Sequence, residues 1–217
     1  MKWVPMAPAK YWSMRLRTSA GIFIFSLGCS VAQATPPLKE KLQAMESLHT
    51  AFSQQINGEL HTGSLWVSKP SRFRIETTAP WQQILISDGT TFWNYDIDLE
   101  QLTIADLEHD PQKYPILLFS GTDANLNDSY HFSSYNDEEL DVYVLIPKEN
   151  NQFFASITLT FSGETPSAII IRDAAGQRTE IIFDSAQTNI ELSEDLFEFS
   201  APADTDIVDQ RTFAGDS

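Results

Sequence analysis

The sequence has one cysteine, Cys29, in 217 residues. Without a second thiol no intrachain disulfide can form, so stability must come from the core. Long apolar runs are equally scarce. The run 20–27 (AGIFIFSL) is far shorter than the ~20 residues a membrane-spanning helix needs, and no later segment comes closer. Positive charge is also in short supply, with 14 lysines and arginines against 30 acids and a net charge of −16. Lys2, Lys10, Arg15 and Arg17 precede any acid, and beyond them 10 cations face 30 anions, a net of −20. Such a chain is repelled by nucleic-acid phosphates and by anionic headgroups, which argues against both as partners.

Chemistry-bearing motifs are missing too. The four histidines, His49, His61, His109 and His131, have no metal-ligand spacing. No nucleophile elbow, phosphate loop or zincin motif occurs. Asp96, Asp98 and Glu100 alternate, but the glycine of a calcium loop is absent, and a solvated strand face and turn explains them. The expectation is a protein that is not an enzyme and uses no metal or cofactor.

What is present begins with an export signal. A positive n-region, the apolar run 20–27 and the small-x-small site Ala32-Gln33-Ala34 predict a cleaved secretory leader over 1–34. One domain, 35–217, would follow, exported from the cytoplasm. A second reading acylates Cys29 after Ser26-Leu27-Gly28 and makes the protein a lipoprotein.

After Pro36-Pro37, Leu38, Leu42 and Met45 have helical spacing, which predicts a short amphipathic helix over 37–47, with Lys39, Glu40, Lys41 and Glu46 toward water. The chain then turns β near His49. Strands are predicted at 59–68, 72–78, 82–87, 91–95 and 100–105, with Asp88-Gly89 as a hairpin turn. Further strands are predicted at 130–135, 140–147, 156–162, 168–172 and 179–184. Such spacing means an antiparallel meander. Residues 114–121 (YPILLFSG) suit a two-turn helix that is apolar all round and must be covered. A third helical turn is predicted at 193–197. The sheet is rich in aromatics: Phe52, Trp66, Phe73, Trp81, Phe92, Trp93 and Tyr95. Curving it around three short helices encloses an apolar space.

These residues resemble the LolA family of periplasmic lipoprotein carriers across the chain beyond the leader. The pieces are Gly63-Ser64-Leu65-Trp66-Val67 before Pro70, Arg72-Phe73-Arg74, Pro80, Ile86-Ser87-Asp88-Gly89, Phe92-Trp93, Tyr95-Asp96 and Leu99-Glu100-Gln101. Pro115 with Leu117-Leu118, then Leu196-Phe197-Glu198-Phe199 and Val208-Asp209-Gln210, continue the order. The resemblance implies a mainly β protein, an unclosed antiparallel β-barrel of about 11 strands under an α-helical lid. Its cavity would hold the acyl chains of outer-membrane lipoproteins, received from the inner-membrane ABC transporter LolCDE and passed to the outer-membrane receptor LolB. A monomer with no stable membrane association is expected.

By position, the sheet side of the cavity would be Leu48, Phe52, Trp66, Phe73, Ile75 and Leu85. The lid would be Leu42, Met45, Ile116, Leu117, Leu118 and Phe119. Where the family usually has an arginine that hydrogen-bonds the lid backbone, this sequence has Lys69, so a looser lock is expected unless Arg72 or Arg74 substitutes. Ile75, where many relatives have Trp, makes the wall smaller. A LolB-like receptor and an RseB-like periplasmic sensor share this architecture and remain alternatives.

Overall fold

Alternating apolar and polar residues build one twelve-stranded sheet in the computed structural model, which describes residues 37–56, 59–111, 113–120, 126–149 and 153–212. The predicted leader 1–34, with Cys29 and the Ala32-Gln33-Ala34 site, and the helix-ending Gly121 lie outside the described residues. A first meander comprises β1 (Ser47–Ile56), β2 (Glu59–Ser68), β3 (Arg72–Thr77), β4 (Gln83–Asp88), β5 (Thr91–Asp96) and β6 (Gln101–Asp106). A second comprises β7 (Tyr130–Asp137), β8 (Leu140–Pro147), β9 (Ser156–Ser162), β10 (Thr165–Arg172) and β11 (Arg178–Thr188).

Antiparallel pairing of β1 with β11 joins the two meanders. The order is β12-β6-β5-β4-β3-β2-β1-β11-β10-β9-β8-β7, where β12 (Asp206–Asp209) runs parallel to β6. The edge strands β7 and β12 do not pair with each other, so the barrel is unclosed. The sheet has eleven antiparallel strands and a twelfth, parallel one.

Helices are few and short. α1 (Leu38–Ala44) precedes β1, while α2 (Leu117–Ser120) and α3 (Leu126–Ser129) lie between the meanders. At seven residues α1 cannot persist on local propensity. It is held by burial of Leu38, Leu42 and Met45 in the main core. α2 is one turn, shorter than the predicted two, because 114–116 form turns that feed it. All four of its residues are buried, which accounts for an apolar surface all round.

The third helical turn, Glu194–Phe197, does not cover the inner face of the sheet as the sequence reading expected. It packs against β3 and β4 from outside. The Arg72 guanidinium lies 5.3 Å from the Phe197 ring centre, and Arg74 Nη1 donates to the Leu196 carbonyl at 3.2 Å. Phe199 packs on Tyr95 with ring centres 5.4 Å apart. A second apolar layer thus forms outside, where Ile86, Tyr95, Leu102 and Phe197 are buried. The sheet is covered on both faces along its first half.

Candidate functional site

On the inner face of β2, period two places His61, Gly63, Leu65 and Val67 together. On β3 it places Phe73, Ile75 and Thr77 together. Gly63 is required where Phe52 crosses it, since a Cβ there would lie 2.2 Å from the Glu76 carbonyl oxygen and 2.6 Å from the Phe52 ring. The inner walls of β1–β5, the 113–116 segment and β10–β11 enclose a cavity of about 350 Å³. Phe52, Leu65, Phe73, Ile75, Leu85 and Phe92 form one wall; Ile169, Ile171, Ile181 and Phe183 form the other. Trp81 stands at the mouth, 63 % exposed. The lining residues include no serine, cysteine or carboxylate.

Of the sheet residues named from sequence, Phe52, Phe73, Ile75 and Leu85 line this cavity. Leu48 is fully buried in the solid core beside it. Trp66 is misassigned. Leu65 and Val67 point inward, so the residue between them faces out, where Trp66 stacks on His49 with ring centres 5.0 Å apart. Of the lid residues, Ile116 lines the cavity. Leu42, Met45, Leu117, Leu118 and Phe119 are packed into the core that closes its other end. There Phe119 meets Phe183 edge-on at 6.0 Å.

The turn between β2 and β3 clasps both lid segments. Lys69 Nζ donates to the Leu42 carbonyl at 2.8 Å and to the Gln43 carbonyl at 3.2 Å, and its backbone N–H donates to the Glu46 carbonyl at 3.1 Å. The Leu42 and Gln43 carbonyls belong to the last turn of α1, where the helix dipole favours a cation, and the Leu42 carbonyl also accepts from the Met45 N–H at 3.4 Å. Two residues on, the Ser71 N–H donates to the Ser120 carbonyl of α2 at 2.8 Å. Arg72 and Arg74 do not stand in for Lys69. Both lie on the outer face, engaged with Ser68, Glu76, Glu194 and the 194–197 turn.

Sequence reading also missed a second tether. Lys41, expected in water, is 3 % exposed. Its Nζ reaches Asp141 of β8 at 3.1 Å, Glu164 at 3.2 Å and the Gly163 carbonyl at 2.6 Å. Burial, helped by the same two carboxylates, pushes the phenol of Tyr143 up to about 12. It stays neutral at any physiological pH. α1 is therefore held from both sides, by Lys69 toward the first meander and by its own Lys41 toward the second. Elsewhere, Asp96 accepts from the Leu99 N–H at 3.0 Å within the β5–β6 turn.

The sequence profile described as "Outer membrane lipoprotein carrier protein LolA" matches residues 43–200. An outer-membrane lipoprotein carrier protein of Francisella tularensis subsp. tularensis is 33 % identical over 201 residues, covering 89 % of this chain and 96 % of its own. One from Alcanivorax borkumensis is 34 % identical over 185 residues, covering 82 % and 88 %. In fold, the chain resembles a conserved protein of uncharacterised function from Thermus thermophilus, with a TM-score of 0.54 at 14 % identity, covering 80 % of this chain and 97 % of that one. The lidded half-barrel and these matches lead to one assignment: the chain belongs to the LolA family of outer-membrane lipoprotein carrier proteins.

Proposed function

We propose that this protein is a periplasmic carrier that takes outer-membrane lipoproteins released by LolCDE, shields their acyl chains in the cavity, and delivers them to LolB. The observation that carries the proposal is an apolar cavity closed at one end by segments that are clasped rather than covalently fixed. Residues 1–34 serve as the leader that sends the chain to the periplasm, where it works as a monomer. Phe52, Phe73, Ile75, Leu85 and Ile116 contact acyl chain first, and Lys69 is the lid lock.

The task needs a container and no catalyst. Three acyl chains of about sixteen carbons represent more than ~30 kcal/mol of gross hydrophobic free energy at ~0.8 kcal/mol per CH₂. Such cargo does not cross water bare. Volume adds a condition. Benzene, with six carbons, fills an engineered cavity of about 150 Å³. By that scale the present 350 Å³ holds roughly fourteen carbons, about one chain. A full load therefore requires α1 and α2 to lift off, which enlarges the space by the volume of Leu42, Met45, Leu117, Leu118 and Phe119.

Filling the cavity tests this reading. Ile171 lines it and is only half-buried, so Ile171→Trp is expected to fold. The protein from the periplasm of cells expressing the full chain should bind a palmitoylated fluorescent probe. The variant should lose at least tenfold in affinity with an unchanged melting temperature. Equal affinity would place the acyl site elsewhere.

A further inference from the structure

One end of the cavity is polar, and three side chains there make no hydrogen bond among the described residues. His61 faces inward in register with Leu65 and Val67 and is 4 % exposed. It lines the cavity, and its ring makes no hydrogen bond among the described residues; its neighbour is the Trp81 indole, ring centres 5.4 Å apart and tilted by 54°. Gln54 is its cross-strand partner on β1 and lines the same space, with no side-chain hydrogen bond among the described residues. The Trp81 indole is likewise unbonded there. By contrast, the other polar groups at this end are occupied. Thr77 Oγ1 bonds the Trp81 carbonyl at 2.7 Å and accepts from the Gln83 N–H, and the Gln83 amide donates to Asn94 at 2.7 Å.

Leucine at 61 would extend the apolar wall, whereas histidine, glutamine and tryptophan put polar groups on the cavity lining. Three side chains with unspent N–H donors at the mouth of an otherwise greasy cavity suit a ligand whose acyl chains end in uncharged acceptors. Lys113, the charged residue of the lining, is paired with Glu108.

Building on the carrier reading, we infer that His61, Gln54 and Trp81 form a junction site for the ester and amide carbonyls at the root of the acyl chains. The site fixes the cargo's direction. The glyceryl-cysteine root sits at the Trp81 mouth, the chains run toward Phe119, and the protein part of the cargo leaves past Trp81. It also sets a chemical preference: acyl esters bind better than alkyl ethers of the same length, since an ether lacks the carbonyl acceptor.

The test compares two synthetic lipopeptides that differ in this one feature. One is a triacylated cysteinyl peptide with two ester-linked chains; the other carries the same two chains as alkyl ethers. Calorimetry with the full-chain protein purified from periplasm should show the ester form bound about tenfold more tightly. In His61→Leu, and separately in Gln54→Leu, that ratio should fall toward one, with far-UV spectra verifying the fold. Equal binding of both peptides by the parent protein would overturn the junction site and leave the carrier reading standing. A ratio that survives both substitutions would also overturn it. Failure of both peptides to bind would instead overturn the carrier reading beneath it.

Discussion

A Lys69→Leu variant is expected to open its α1 lid about thirtyfold more often than the parent protein. Lys69 Nζ makes two charge-assisted hydrogen bonds to the Leu42 and Gln43 carbonyls. It is partly exposed, so their joint contribution is set at about 2 kcal/mol, below the sum of two fully buried bonds. That is a factor of about thirty in the opening equilibrium. α1 is only seven residues long and has little stability of its own, so the loss should appear locally. Native-state hydrogen exchange should show weakened protection at the α1 amides and unchanged protection in β8 and β9, far from the clasp. Lys69→Arg should move the other way, because a planar guanidinium can hold two carbonyls in one geometry. If both variants exchange like the parent, Lys69 is not the lock.

The largest loss of stability should come from Lys41. Replacing it with Met keeps the length but strips Asp141, Glu164 and the Gly163 carbonyl of their shared cation. Removing one partner of a buried pair costs about 3–5 kcal/mol. Glu164 is largely exposed and contributes little, so the lower end, about 3 kcal/mol, is the expectation here. For a domain of this size that is a fall of about 6–12 °C in Tm. The combined Lys41→Met and Asp141→Leu variant should recover most of it, because an apolar pair leaves no buried charge behind. A double variant as unstable as the single one would mean that the loss is packing, not electrostatics. Together the two lysines make α1 a hinged element: Lys41 anchors it to the second meander, and Lys69 latches it to the first.

Strands with period-two alternation were fully legible in the sequence. β2, β8 and β9 have the same limits in structure as in the sequence reading. Other features were legible but misread. Lys41 falls at i+3 from Leu38 and four before Met45, which is the buried stripe of α1, yet its charge suggested water. Trp66 sits between two inward residues and so must face out, but its aromaticity suggested the cavity. In β4, the unbroken run Ile84-Leu85-Ile86 signals a strand covered on both faces, which the outer 194–197 turn supplies.

The remainder carried no local signal. β12 is four residues long, exposed at each of them and paired in parallel with a strand roughly a hundred positions earlier. No periodicity can be read from so few residues. The unbonded donors at His61 and Gln54 were equally silent, because hydrogen-bond satisfaction is a property of the folded surroundings and not of spacing.

A cavity that carries lipoprotein acyl chains through water should reveal itself in a release assay. Inner-membrane vesicles holding a newly made outer-membrane lipoprotein are incubated with ATP and the protein, and the supernatant is examined for a soluble complex. ATP-dependent appearance of a one-to-one complex, reduced at least tenfold by Ile171→Trp, is the result predicted. Lipoprotein that stays with vesicles from which a control carrier releases it would contradict the account.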